Sequence, residues 1–160
     1  MSKSLKRVRA ALDAAHVATE VRQTGEARTA QMAADEVGVA VDQIVKSIIF
    51  RGEASGEAVL FLTAGGNTVD ATKAAALAGE ALGKADAALV RAQTGFAIGG
   101  VSPVGHLSPI RAFMDPRLLD FPVVWAAAGT PHHVFSVNPA DLPALSGAQV
   151  ADFTNLSNNM

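Results

Sequence analysis

Cysteine is absent from the chain, which excludes disulfide bridges, thiolate metal sites and cysteine nucleophiles together. Aromatic residues are scarce at 5%, while alanine and valine carry much of the 49% apolar fraction and glycine is frequent beside them, so the core is expected to rest on small side chains and close backbone contacts. No run approaches the roughly 18 consecutive apolar residues of a membrane span, and no membrane partner is expected. The opening Met1-Ser2-Lys3-Ser4-Leu5-Lys6-Arg7 leads into no apolar h-region, so no secretory signal is read and the cytoplasm is the expected location. A formal net charge of −2 argues against a protein that coats DNA or RNA nonspecifically, because such proteins are usually basic. It leaves open a brief contact with RNA at one end.

What is present points to one domain. The 160 residues suffice for a substantial core, and no internal repeat, linker or low-complexity tract divides them. Leu5, Val8, Leu12 and Ala15 recur at helical spacing, which predicts an amphipathic helix over residues 3–15. Lys3, Lys6, Arg7 and Arg9 cluster there, either as a solvated helix face or as a phosphate-contacting patch. A strand is expected at 17–22. A helix capped by Thr29 should run to Val37 and stop at Gly38, followed by a turn carrying Asp42. The strongest strand spans 44–51, with an antiparallel partner at 58–63 across the polar loop 52–57. Gly65-Gly66-Asn67 reads as a turn, and Asp70 or Thr68 as the cap of a helix through Ala78. An extended piece at 82–85 and a helix from Asp86 through Ala92 follow. Strands are expected at 110–114 and 123–128 around a turn at Asp115-Pro116-Arg117, then at 133–137, with a short helix opening at Asn138-Pro139. The tail at 156–160 reads as polar and frayed. Interleaved helices and strands predict an α/β fold around a mixed, mostly antiparallel sheet with surrounding helices.

Three features could carry chemistry. Lys46 lies in Ile44-Val45-Lys46-Ser47-Ile48-Ile49-Phe50, where strand alternation places it on one face with Ile44, Ile48 and Phe50. An ammonium there either snorkels to water from the strand end or is held in a cleft to bind a phosphate, a hydroxyl or a developing oxyanion. Thr94 to His106 contains Gly95, Gly99, Gly100, Gly105 and Pro103, a loop whose main chain could hold a carbonyl or a water. It matches neither a P-loop nor a dinucleotide fingerprint. His132 and His133 are neighbours and should point to opposite faces of a strand, so a shared metal site is not expected. With no Cys and no His-x-x-x-His, no metal and no cofactor is expected. His106 is either a solvated loop residue or a second cleft residue, and His16 reads as structural. Ser102 lacks the Gly-x-Ser-x-Gly elbow of a serine hydrolase.

With Lys46, the Gly-x-x-x-Pro of Gly99 to Pro103 and the Gly-x-x-x-His of Gly129 to His133 in order, the chain resembles the YbaK/prolyl-tRNA synthetase-associated editing domains. It looks like a free-standing member, and the resemblance covers roughly residues 15–153 of a single domain spanning 1–160. It implies a trans-editing aminoacyl-tRNA deacylase, a carboxylic ester hydrolase that removes a mischarged small amino acid, on tRNA charged by prolyl-tRNA synthetase. The same resemblance implies that Lys46 meets the tRNA 3′-terminal region and helps place the ester. Gly99 and Pro103 would be catalytic loop residues, with Gly100, Val101, Ser102 and His133 binding substrate. Mischarged tRNA would be the partner, with docking on prolyl-tRNA synthetase open. YbaK proper, which acts on cysteinyl-tRNA, has a Ser-x-Gly-Lys-Arg-Gly-like segment where this chain reads Ala126 to His133. A cysteine preference is therefore not implied; the histidine ending is closer to alanine-directed members, and alanine, 2-aminobutyrate and serine stay open. Two other classes stand beside this reading: a non-catalytic module for a tRNA 3′ end or a synthetase, and a small-metabolite esterase on the same fold.

Overall fold

In the computed structural model, which describes residues 2–155, Ser2 starts the first helix by accepting the Leu5 N–H on its hydroxyl at 3.0 Å. The polar tail expected at 156–160 lies outside the described residues. Helix α1 (Lys3–Ala15) buries the predicted stripe of Leu5, Val8 and Leu12 and ends on His16 in the left-handed region, the structural role expected of it. Helices α2 (Ala30–Val37), α3 (Ala71–Ala78) and α4 (Ala87–Thr94) are capped by Thr29, Asp70 and Asp86, and each stops on a glycine. A short α5 (Leu142–Ser146) continues the 3-10 turn opened by Pro139.

The strands are β1 (Val21–Gln23), β2 (Ile44–Gly52), β3 (Ala58–Ala64), β4 (Leu82–Lys84), β5 (Arg111–Met114), β6 (Val124–Ala127), β7 (His133–Val137) and β8 (Gln149–Val150). They form one mixed sheet in the order β1-β7-β6-β2-β3-β5-β8, with β4 also pairing to β2. Four pairings are antiparallel and three parallel, so the α/β fold with a mostly antiparallel mixed sheet is as read from the sequence. Every residue of β3 is buried, as a strand covered on both faces must be.

Alternation assigns the two faces. Val45, Ile49, Leu60, Leu62, Met114, Ala126 and Phe135 join the stripe of α1 and the Val90 of α4 in the main core. On the other face Ile48, Phe50, Phe61 and Phe113 pack against α3, while Ile44, Trp125 and Val134 pack against α2. Alanine and valine make up more than half of the buried apolar residues, as the composition leads one to expect. Phe61 stacks on Phe113 and meets Phe50 and Phe153 edge-on, so four of the eight aromatics form one cluster.

Several boundaries differ from the sequence reading. The strand expected at 17–22 begins only at Val21, because it needs β7 as a partner and the register pairs Val21 with Phe135. The turn at Asp115-Pro116-Arg117 is the start of a 3-10 helix over Pro116–Asp120, and the strands on either side of it are separated in the sheet by β2 and β3. Helix α4 runs to Thr94, whose hydroxyl donates to the Val90 carbonyl. His132 precedes β7, which starts at His133, so the two histidines do not alternate across one strand as expected. The two-residue β8 carries no sequence pattern of its own and was not anticipated.

Candidate active site

Strand β2 changes partner along its length. It pairs with β6 only through Ile44 and Val45, and with β4 only from Phe50 to Gly52. Between them, Lys46 to Ile49 have no strand neighbour on that side among the described residues, so half of their main-chain groups face open space. A cavity of about 540 Å³ occupies this gap, within the usual range for small-molecule sites. Its wall combines Lys46 and Ser47 of β2, Gly99 and Val101 of the glycine loop, and Thr130 and His133 at the start of β7.

Lys46 is half-buried, and its Nζ donates to the main-chain carbonyl of Asn67 at 2.5 Å. The Asn67 side chain is buried and donates through Nδ2 to Asp115 Oδ2 at 2.9 Å. Asp115, itself buried, also accepts the N–H groups of Ala64 and Arg117. Asp42 accepts the Gly66 N–H and pairs with Arg117 at 3.0 Å, which fixes the glycine turn from its other side. Burial lowers the Lys46 pKa from its ordinary value, and the charges of Asp115 and Asp42 oppose that drop. The result is an aimed cation with a braced stem, rather than one snorkelling freely to water.

The loop is held by packing and by α1. Gly99 has φ +93° and lines the cavity, whereas Gly100 is buried against the Thr130 main chain. Ser102 and Pro103 are buried and do not line the cavity. The Ser102 hydroxyl accepts the Val104 N–H, and its carbonyl accepts from His106 Nε2 at 2.7 Å. His106 thus braces the loop from behind, edge-on to Phe96, and burial lowers its pKa. Arg7 clamps both ends of the loop, donating to the carbonyls of Gly105 at 2.7 Å and Gly95 at 2.8 Å while lying over Phe96.

His133 sits across the cavity with Nδ1 2.7 Å from Thr130 Oγ1. Burial, and then the charges of Arg9 and His132, push its pKa down. That favours the neutral ring, which can both accept and donate. Of the residues singled out in the sequence, Lys46, Gly99, Val101 and His133 therefore converge on one cavity; Gly100, Ser102 and Pro103 shape the loop behind it. Sequence reasoning missed Ser47, whose hydroxyl is shielded from solvent and has no hydrogen-bond partner among the described residues. It also missed Asn67 and Asp115. The Gly-Gly-Asn turn was a signal for Asn67; nothing local marked Asp115 as buried.

The aminoacyl-tRNA editing domain family matches residues 24–145, three-quarters of the chain, and the protein belongs to that family. The uncharacterised protein YwhH of Bacillus subtilis (strain 168) is 31% identical over 122 residues, which cover 76% of this chain and 77% of YwhH. A crystal structure of a candidate trans-editing enzyme for prolyl tRNA synthetase is 48% identical, with a TM-score of 0.87 over 97% of this chain and 99% of that one. A structure solved for computational grafting of epitopes onto scaffold proteins is 46% identical, with a TM-score of 0.88 over 97% and 99% of the two chains. Among the described residues no helix is long and apolar enough to cross a membrane.

Proposed function

We propose that this protein is a cytoplasmic trans-acting deacylase that hydrolyses the ester of a mischarged small amino acid on tRNA(Pro), with the editing domain occupying the whole chain and its core at about 15–153. The observation that carries this reading is the convergence of Lys46, Gly99, Val101 and His133 on one cavity. The family membership and the likeness to a candidate trans-editing enzyme support it.

In this reading Lys46 holds the phosphate or ribose of the tRNA 3′ end, its stem aimed by Asn67 and Asp115. The main chain at Gly99 and Val101 and the bare edge of β2 hold the aminoacyl group and a water beside the ester carbonyl. His133, oriented by Thr130, contacts the substrate from the opposite wall. Gly100, Ser102 and Pro103 position the loop. An ester is already activated, so placement and stabilisation of the developing oxyanion supply much of the rate, and a ribose hydroxyl next to the ester can assist. Docking on prolyl-tRNA synthetase would deliver the substrate.

The test is hydrolysis of a panel of tRNA(Pro) charged with alanine, 2-aminobutyrate, serine and proline, by the wild type and by Lys46→Ala. Turnover of at least one mischarged species, falling about 100-fold or more in the variant with an unchanged circular dichroism spectrum, is expected. Binding without turnover would instead favour a recognition module. Hydrolysis of small esters but of no aminoacyl-tRNA would favour a metabolite esterase. Full activity in Lys46→Ala would remove the central residue from the account.

A further inference from the structure

The basic cluster at the start of α1 divides into two roles. Arg7 is consumed by the loop clamp, but Arg9 is exposed and has no hydrogen bond or ion pair among the described residues. It faces a second cleft of about 690 Å³, lined by Ser2, Leu5, Arg9, Val21, Gln23, Thr130, His132 and His133. None of these residues is acidic. Asp13, one turn beyond Arg9, forms no ion pair with it, and Lys6 stands exposed on the same helical stripe as Ser2, Arg9 and Asp13. The ring of His132 is likewise exposed and unpaired among the described residues. Thr130 and His133 line both cavities, so the cleft that Arg9 faces adjoins the site of the proposed chemistry.

We propose that this second cleft is the track for the single-stranded 3′ end of the tRNA, with Arg9 and Lys6 contacting its phosphates and His132 hydrogen-bonding the strand. The proposal rests on the deacylase reading for its occupant. Charge complementarity carries it: a chain with net charge −2 keeps beside its cavity a cleft whose one charged lining residue is the unpaired Arg9, with no carboxylate to oppose it. Thr130 and His133 border both cavities, so a strand whose terminal ester sits between Lys46 and Gly99 has a direct way into the second cleft past them. Arginine and imidazole donors arranged along such a groove suit a phosphodiester backbone, which they position without reading bases.

The experiment measures binding of a short RNA ending in CCA, with no amino acid attached, across a range of salt concentrations. Wild type is compared with Arg9→Ala, His132→Ala and, as a control lining neither cavity, Arg51→Ala. Loss of the Arg9 contact should weaken binding several-fold and lower the slope of log K against log salt by about 0.7, the share of one phosphate on a single strand. Arg51→Ala should match the wild type. Thermal melts of the variants should be unchanged, since neither side chain is packed. Failure of the wild type to bind the RNA, equal loss in all three variants, or displacement by inorganic phosphate at equal phosphate concentration would overturn the proposal. Arg9-dependent binding by a protein that hydrolyses no aminoacyl-tRNA would keep the track and sink the deacylase.

Discussion

Gly100 and Thr130 meet main chain to main chain: a methyl group placed on the Gly100 α-carbon would lie 2.9 Å from both the Cα and the carbonyl carbon of Thr130. This contact joins the glycine loop to the turn that carries His133, and therefore sets the width of the cavity between them. Backbone cannot swing aside as a side-chain tip does. Gly100→Ala is expected to cost about 1–3 kcal/mol in stability, the usual penalty of overpacking, measured by urea denaturation. Deacylation should fall by more than the folded fraction does, because a shift of about 1 Å at a reacting centre can cost about 100-fold. An alanine variant with wild-type rate and midpoint would show that the two segments are not coupled.

Asp115 reaches the cavity without touching it. Its carboxylate satisfies the Ala64 and Arg117 amides and the Asn67 side chain, and Asn67 in turn receives the Lys46 ammonium. The Asp115 charge also raises the Lys46 pKa against the downward pull of burial. Asp115→Asn removes that support, so the Lys46 pKa must move further down. The ammonium is then lost at lower pH, and the alkaline limb of the kcat/KM profile should shift to lower pH. Stability should drop by about 1–3 kcal/mol as a buried donor faces an amide in place of a carboxylate. A variant that is merely destabilised, with the alkaline limb unmoved, would confine Asp115 to holding the turn.

Ser47 presents the opposite case, a buried polar atom without a partner among the described residues. A hydroxyl shielded from water and left unbonded destabilises the folded state by about 1–3 kcal/mol. Ser47→Ala is therefore expected to raise stability by up to about 1 kcal/mol, since the deleted oxygen also leaves a small void. Chemical denaturation reads this directly. A lower midpoint in the alanine variant would mean that the hydroxyl is bonded in solution. A higher midpoint with impaired deacylation would mark a group kept for substrate at the expense of stability.

The fold was legible where local chemistry decides it. Thr29, Asp70 and Asp86 each announce a helix by a side-chain oxygen placed to accept an N–H of the first turn, and Gly38 announces the end of α2. Strands β2, β3 and β7 were readable from apolar alternation or from continuous burial. What escaped depends on distant partners: β8 exists because β5 lies beside it, and β1 starts where β7 can reach. The same division holds for the site. Lys46 was conspicuous because an ammonium is out of place between isoleucines, and Gly99 because glycine clusters mark unusual backbone. The free edge of β2 was invisible, because it arises from β6 ending and β4 beginning at different points along one strand.

Glu80 gives a pH signature far from the cavity. Its carboxylate accepts the N–H groups of Ser55 and Ala54 at 2.9 Å and pairs with Arg111 at 2.6 Å, tying the β2–β3 loop to the end of α3. The Ser55 amide first, and then Arg111, hold its pKa down to about 2 from an ordinary value of 4.5. The folded pKa is the lower one, so the unfolded state binds the proton more readily. Glu80 therefore contributes stability that is fully present above the unfolded value and is lost as the pH falls through the folded value. Glu80→Gln should unfold at lower urea than the wild type at pH 7. The difference should narrow between about pH 4.5 and 2 as the wild type alone gives up its advantage. A gap that stays constant over that window would mean that the loop is held by packing and not by the Glu80 charge.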